Sequence, residues 1–111
     1  MKRYLAEQIK KDLEKKMVFL GGPRQVGKTT LALQILTNKQ GYLNWDIHEH
    51  REKILKRELP PVTMLVLDEI HKYRSWRNYL KGLYYQHHDK QQILVTGSTR
   101  LDYYRFGGDS L

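Results

Sequence analysis

The chain has 111 residues, which is enough for one domain, and it has no cysteine, which excludes disulfides and thiolate metal sites. Twenty Lys and Arg residues face 12 Asp and Glu residues, so the formal net charge is +8. No apolar run approaches the roughly 18 residues of a membrane span, and the basic N-terminus lacks the apolar region of a signal peptide. The composition therefore predicts a single cytoplasmic domain without a membrane partner.

The N-terminal segment, residues 1–16, is predicted to be an amphipathic helix, with its helical pattern over Lys2–Lys16. Leu5, Ile9 and Leu13 recur every fourth residue, with Lys and Glu between them, so the segment has one apolar face. We expect this face to pack on the rest of the domain, ahead of the first strand.

The next segment combines a strand, a glycine-containing loop and a helix. Met17–Gly21 is a short apolar run that predicts a buried strand, and Thr29–Leu36 is rich in helix formers. Between them Gly22–Thr29 reads GPRQVGKT, which fits the phosphate-binding pattern G-x-x-x-x-G-K-S/T. The loop thus leads from a strand tip to a helix N-terminus, where free N–H groups and the helix dipole favour an anion.

This pattern gives each residue type a role. Gly22 and Gly27 let the backbone approach phosphate oxygens, Lys28 is expected to reach the β- and γ-phosphates, and Thr29 is expected to place its hydroxyl on Mg²⁺. The alternative is a glycine-rich turn without a ligand. The candidate nucleotide-binding residues are Gly22, Pro23, Arg24, Gln25, Val26, Gly27, Lys28, Thr29 and Thr30.

Two further strands are expected in the middle of the chain. Gly41–Trp45 is a candidate second strand, and Ile47–Leu59 is a charged helix or loop that ends at Pro60 and Pro61. Val62–Leu67 is an almost continuous apolar run. Such a run is typical of a strand buried on both faces of a parallel sheet.

The last predicted elements are a helix and a strand. Ser75 is a candidate N-cap, and Gln92–Thr96 predicts a fourth strand. One apolar helical face is formed by Trp76, Tyr79, Leu80, Leu83 and Tyr84. Because strands alternate with helices, the chain predicts an α/β fold of three layers, with a mostly parallel sheet of about four strands.

Two adjacent carboxylates, Asp68 and Glu69, end the third strand in the sequence LVLDEIH. In a protein with a phosphate-binding loop, Asp68 can hold the Mg²⁺ shell and Glu69 can orient or deprotonate the attacking water. The alternative is two acids that merely end a strand. A glutamate beside the aspartate suits hydrolysis rather than transfer to a substrate hydroxyl, and residues 38–41 (NKQG) lack the Asp of a guanine-reading N-K-x-D motif. ATP is thus favoured over GTP.

The segment TGST, Thr96 to Thr99, follows the fourth strand. In hydrolytic proteins with this loop, that strand lies between the first and third strands. A polar side chain at its tip can then touch the γ-phosphate or the attacking water. Ser98 is the first candidate for this catalytic contact and Thr96 the second; an ordinary strand-ending turn is the alternative.

Together, GPRQVGKTT, LNWD, LVLDEIHK and ILVTGS resemble a family of prokaryotic AAA-type ATPases, over about residues 17–111. The resemblance implies an ATP and Mg²⁺ site. It assigns nucleotide contacts to Gly22–Thr30, the metal to Thr29 and Asp68, and catalysis to Lys28, Glu69 and Ser98. Asp46, in LNWD, matches an acidic position of the family to which we assign no role at this point.

Members of the family usually continue through a fifth strand, an arginine-bearing segment, a helical lid and a C-terminal domain. The resemblance therefore implies that this chain is the N-terminal part of an ATPase domain. One edge of its sheet, at the first strand, is then uncovered. The arginine that stabilises the transition state would then be absent or supplied by another molecule. The partners that the resemblance implies are a second copy of the chain or a missing C-terminal domain.

Three functions stay open from the sequence. The first is an ATPase; the second is a module that binds ATP or ADP, or forms oligomers, with little turnover. The third is a helicase fragment, because residues 68–71 (DEIH) fit a D-E-x-H motif. The net charge of +8 also leaves a nucleic-acid partner open.

The loop assignment leads to a first prediction. Replacement of Lys28 by alanine removes the point charge expected on the β- and γ-phosphates, so Lys28→Ala should abolish ATP binding. Titration with ATP measures this directly, and an unchanged affinity in the variant would contradict the assignment.

Overall fold

The computed structural model of the chain describes residues 2–21, 28–87 and 90–98, with only the backbone for residues 2–5, 28 and 87. The predicted loop residues Gly22–Gly27 and the Lys28 side chain lie outside the described residues, as do Thr99 and residues 100–111. The helices are α1 (Lys2–Leu13), α2 (Lys28–Ile35), α3 (His48–Leu55) and α4 (Trp76–His87). The strands are β1 (Val18–Leu20), β2 (Tyr42–Asn44), β3 (Met64–Asp68) and β4 (Gln92–Thr96). Short 3-10 turns cover Lys39–Gly41 and Ile70–Lys72.

The four strands form one parallel sheet in the order β1-β4-β3-β2. This order confirms that the fourth strand lies between the first and the third. β3 is buried along its whole length, as its apolar sequence predicts for a strand covered on both faces. β1 and β2 are the edge strands of this four-stranded sheet.

Helices cover both faces of the sheet, so the predicted three-layer α/β fold is confirmed. On one face, α1 and α2 pack on the side chains of Met64, Val66 and Leu94. On the other face, α3 and α4 pack on Leu67, Ile93 and Val95. Successive strand residues point to opposite faces, which is why neighbours such as Val66 and Leu67 belong to different halves of the core.

The predicted apolar faces of the helices are the buried ones. Ile9 and Leu13 of α1 are buried. In α4, Trp76, Tyr79, Leu80 and Leu83 are buried, and Tyr84 packs against them. The carbonyl of Ser75 accepts the hydrogen bond of Tyr79 N, which places Ser75 at the start of α4 as expected.

Several elements are shorter than predicted, and local hydrogen bonds account for two of them. The first helix ends at Leu13, and three backbone N–H groups after it, from Glu14 to Lys16, bond back to Lys11 and Asp12 in a turn. The third strand begins at Met64 rather than Val62, because Val62 N bonds to the Pro60 carbonyl at 2.9 Å and so turns the chain. The predicted charged helix or loop at 47–59 is a helix only over His48–Leu55.

The segments that follow the carboxyl ends of β1 and β3 run to opposite faces of the sheet. β1 leads towards α2 on one face, whereas β3 leads to α4 on the other. In parallel α/β sheets, ligands bind outside the carboxyl ends of the strands where such loops part. Among the helices in the described ranges, none is long and apolar enough to cross a membrane.

Gly41, which directly precedes β2, is packed closely against β3, and Gly82 in α4 offers a comparison. A Cβ on Gly41 would clash with the backbone carbonyl oxygen of Met64, whereas a Cβ on Gly82 in α4 would meet nothing within 4 Å. Gly41→Ala should therefore lower the free energy of unfolding by about 1–3 kcal/mol.

The matched control is Gly82→Ala, which should raise that free energy by about 0.5–1 kcal/mol, because alanine is the better helix former. Urea unfolding of both variants measures the difference. Equal stability of the two variants would contradict the packing described for Gly41.

Candidate functional site

The Asp68 carboxylate is the centre of the polar groups at the carboxyl edge of the sheet. Its exposed fraction is only 3%. Three hydroxyls donate to it: Thr96 Oγ1 to Oδ1 at 2.8 Å, and Thr29 Oγ1 and Tyr42 Oη to Oδ2 at 3.1 and 2.6 Å. A buried carboxylate has to be hydrogen-bonded to be tolerated, and here the donors come from α2, β2 and β4.

The contact between Thr29 and Asp68 bears on cation binding. Thr29 is the second residue of α2, so the contact ties the helix that follows the predicted phosphate loop to the end of β3. A hydroxyl that donates its hydrogen keeps two lone pairs. Thr29 can thus accept a cation while Asp68 holds its hydrogen and supplies negative charge nearby, and this oxygen chemistry fits Mg²⁺.

Tyr42 was not predicted as a site residue. Burial and the hydrogen bond to Asp68 raise the pKa of the Tyr42 phenol above its ordinary value. Asn44 Nδ2 in turn donates to the phenol oxygen at 3.0 Å. Because the pKa is raised in the folded state, the protonated Tyr42 phenol contributes to the stability of the fold, and this contribution is complete below about pH 10. It is lost as the pH rises through the folded value.

Glu69 follows Asp68 in a left-handed backbone conformation, with φ 61° and ψ 22°. This conformation is uncommon for a residue other than glycine and costs roughly 1–3 kcal/mol. Glu69 N donates to the Thr96 carbonyl at 2.8 Å, which holds the turn against β4. The turn separates the two carboxylates: Asp68 is buried among hydroxyls, and Glu69 has other partners.

Those partners are Ser98 and two residues of the turn after β3. Ser98 Oγ donates to Glu69 Oε1 at 3.0 Å. Lys72 Nζ lies 3.3 Å and His71 Nε2 3.7 Å from the same oxygen. Burial lowers the pKa of His71, so its imidazole is neutral at pH 7 and Lys72 is the cation beside Glu69.

The predicted site residues thus fall into two adjoining clusters. Thr29, Asp68 and Thr96 form one, and Glu69 and Ser98 form the other. Thr96 is fully buried on Asp68, which leaves Ser98 as the polar side chain at the tip of the strand. Thr30 is exposed on α2, and Gly22–Gly27 lie outside the described residues.

Sequence reasoning did not identify Tyr42 or Lys72, and it placed His71 near the nucleotide without giving it a role. Lys72 had a usable signal, since it stands three residues after Glu69 within one turn, a spacing at which opposite charges meet. Tyr42 had none, because its contact with Asp68 depends on the parallel pairing of β2 with β3.

Comparison with known proteins agrees with this fold. A family model described as an AAA domain matches residues 14–111. The chain therefore belongs to this family of AAA domains, and it is a nucleotide-binding module of the AAA type. No curated protein and no solved structure matches the chain at a significant level.

The phenol of Tyr42 can be tested as a support of Asp68. Tyr42→Phe removes a hydrogen bond to a buried charged group, so we expect the free energy of unfolding at pH 7 to fall by about 1.5–3 kcal/mol. The difference from the wild type should narrow above about pH 10, where the unfolded tyrosine ionises.

Tyr85→Phe is the matched control, because the Tyr85 side chain is 67% exposed. It should change stability by no more than about 0.5 kcal/mol. Urea unfolding between pH 7 and pH 11 makes the comparison. Equal effects of the two substitutions would show that Tyr42 does not support the carboxylate.

Proposed function

We propose that this AAA domain binds ATP together with Mg²⁺ and hydrolyses the β–γ phosphoanhydride, with Glu69 as the general base. The observation that supports this most is the pairing of two different carboxylates at one sheet edge. Asp68 is buried and holds the Thr29 hydroxyl at 3.1 Å. Glu69, the next residue, has a side chain that remains 13% exposed and contacts Ser98.

The two carboxylates suit different tasks. Thr29 and Asp68 would hold Mg²⁺, which neutralises phosphate charge when it is bound. Mg²⁺ commonly takes only one or two protein carboxylates and completes its shell with phosphates and water. A larger cluster of protein ligands is therefore not required, and the described residues contain no group of three or more His, Asp or Glu suited to a metal.

Glu69 would act on the attacking water. Its carboxylate accepts a proton from the water, whose oxygen forms a bond to the γ-phosphorus. The bond from that phosphorus to the bridging oxygen breaks, which leaves ADP and inorganic phosphate, and the proton returns to solvent after product release. Ser98, at the same strand tip, is proposed to orient the water or the γ-phosphate.

The residues of the predicted loop complete the proposal. Gly22–Gly27 would cradle the phosphates with backbone N–H groups, and Lys28 would contact the β- and γ-phosphates. Family membership supports nucleotide binding by this chain. The proposal includes an oligomer in which a neighbouring copy supplies an arginine. It also includes a nucleic-acid partner, which the net charge of +8 would attract.

The substitution Glu69→Gln tests the chemical step. It keeps the shape of the side chain and its acceptor oxygen but removes the base. We expect ATP affinity within about twofold of the wild type and phosphate release slowed by about a hundredfold or more. Glu58→Gln, at an exposed position after α3, is the control that should leave both quantities unchanged.

Calorimetric ATP titrations with Mg²⁺ and with EDTA, followed by phosphate-release assays, distinguish an ATPase from a module that binds ATP with little turnover. Tighter binding with Mg²⁺ and turnover that requires Glu69 are the expected results. Mg²⁺-dependent binding without any turnover in the wild type would favour the second function, a module that binds ATP or ADP with little turnover. Wild-type turnover in Glu69→Gln would exclude Glu69 as the base.

A further inference from the structure

The Glu69 carboxylate is held through one of its two oxygens. Oε1 is the atom that lies 3.0 Å from Ser98 Oγ and 3.3 Å from Lys72 Nζ. Within the part of the chain that the structure describes, Oε2 has no hydrogen-bond or ion-pair partner. A general base needs an open acceptor oxygen within reach of the water it deprotonates, and this arrangement leaves one.

Lys72 is itself fixed by a second carboxylate. Lys72 Nζ donates to both oxygens of Asp46, at 3.1 Å to Oδ1 and 2.8 Å to Oδ2. The hydrogen bond to Asp46 raises the pKa of Lys72, so the ammonium stays charged at neutral pH. The ion pair is 37% and 45% exposed, and pairs of this exposure add little to stability.

The residues beside this ion pair hold the two loops together. Trp45, next to Asp46, stacks on Tyr73, next to Lys72, with ring centroids 4.6 Å apart and 16° between the planes. Arg51 contacts the Trp45 ring at 4.9 Å and donates from Nε to the Trp45 carbonyl at 2.8 Å. The loop after β2 and the turn after β3 are therefore locked side by side, and Asp46 and Lys72 meet in one arrangement.

We propose that Lys72, held by Asp46, is a positioning residue that fixes Glu69 through Oε1 and so leaves Oε2 free to accept the proton of the attacking water. The inference rests on the proposed ATP hydrolysis. It also gives a role to Asp46, the acidic residue of the LNWD segment. Lys72 contacts neither the water nor the phosphate in this account; it acts only through the orientation of Glu69.

Steady-state kinetics test the consequence. Lys72→Met should lower kcat by about tenfold to a hundredfold, the range expected for a misplaced catalytic group, with KM for ATP within about twofold. Lys72→Arg should recover most of the rate, because arginine keeps the charge and can still span the two carboxylates. The kcat of Asp46→Asn should lie between that of Lys72→Met and that of the wild type.

The matched control is Lys81→Met, which removes the charge of an exposed lysine on α4 and should leave both kinetic constants unchanged. An unchanged kcat in Lys72→Met would overturn the proposal. A loss of rate in Lys72→Met that Lys72→Arg does not restore would overturn it too.

A second measurement does not require turnover. In nucleotide-free protein labelled with ¹³C at the glutamate side-chain carboxyl carbons, the Glu69 resonance is the one that Glu69→Gln removes. It should shift in Lys72→Met, shift less in Asp46→Asn and stay in place in Lys81→Met. A resonance that does not move in Lys72→Met would overturn the proposed contact.

The two measurements also separate this inference from the function on which it rests. A wild-type chain that binds ATP without releasing phosphate would overturn the proposed hydrolysis. The carboxyl resonance would then decide by itself whether Lys72 positions Glu69. Normal turnover in the wild type together with an unmoved resonance would overturn the positioning role alone.

Discussion

The arrangement of the whole carboxyl edge depends on one buried charge, the Asp68 carboxylate. A carboxylate with an exposed fraction of 3% is tolerated only when its oxygens are hydrogen-bonded. The three donors, Thr29, Tyr42 and Thr96, stand on α2, β2 and β4. If any of these elements shifted, a buried acceptor would lose a partner. The register of the strands and the position of α2 are therefore coupled at this point.

The left-handed turn at Glu69 explains how adjacent carboxylates come to have different environments. A residue that continued β3 would point to the face opposite Asp68. The turn instead brings Glu69 to Ser98 and to Lys72, and Lys72 in turn contacts Asp46 in the loop after β2. The stack of Trp45 on Tyr73 stabilises that side of the site. The carboxylate of Asp68 is thus buried, while that of Glu69 is held only through Oε1 by the residues that the structure describes.

Most of the fold could be predicted because its signals are local. The apolar run at β4 defined Gln92–Thr96 to the residue, and the apolar periodicity of α4 identified its buried side chains. The start of β3 was misplaced because the bond from Val62 N to Pro60 depends on how the two prolines turn the chain. In the candidate site, Asp68, Glu69 and Ser98 were predicted from their places at strand ends, and the structure places all three at the carboxyl ends of the strands. The contacts of Tyr42 with Asp68 and of Lys72 with Asp46 were not predicted.

The sequence by itself determined the alternation of strands and helices, the family, and the residue types at the carboxyl edge, since apolar periodicity and short motifs are properties of neighbouring residues. The tertiary structure alone decided which side chains meet there. Tyr42 reaches Asp68, and Asp46 reaches Lys72, across 26 positions of the chain. Such contacts arise only when parallel strands pair in register and their loops pack, because those steps bring distant residues within hydrogen-bond distance.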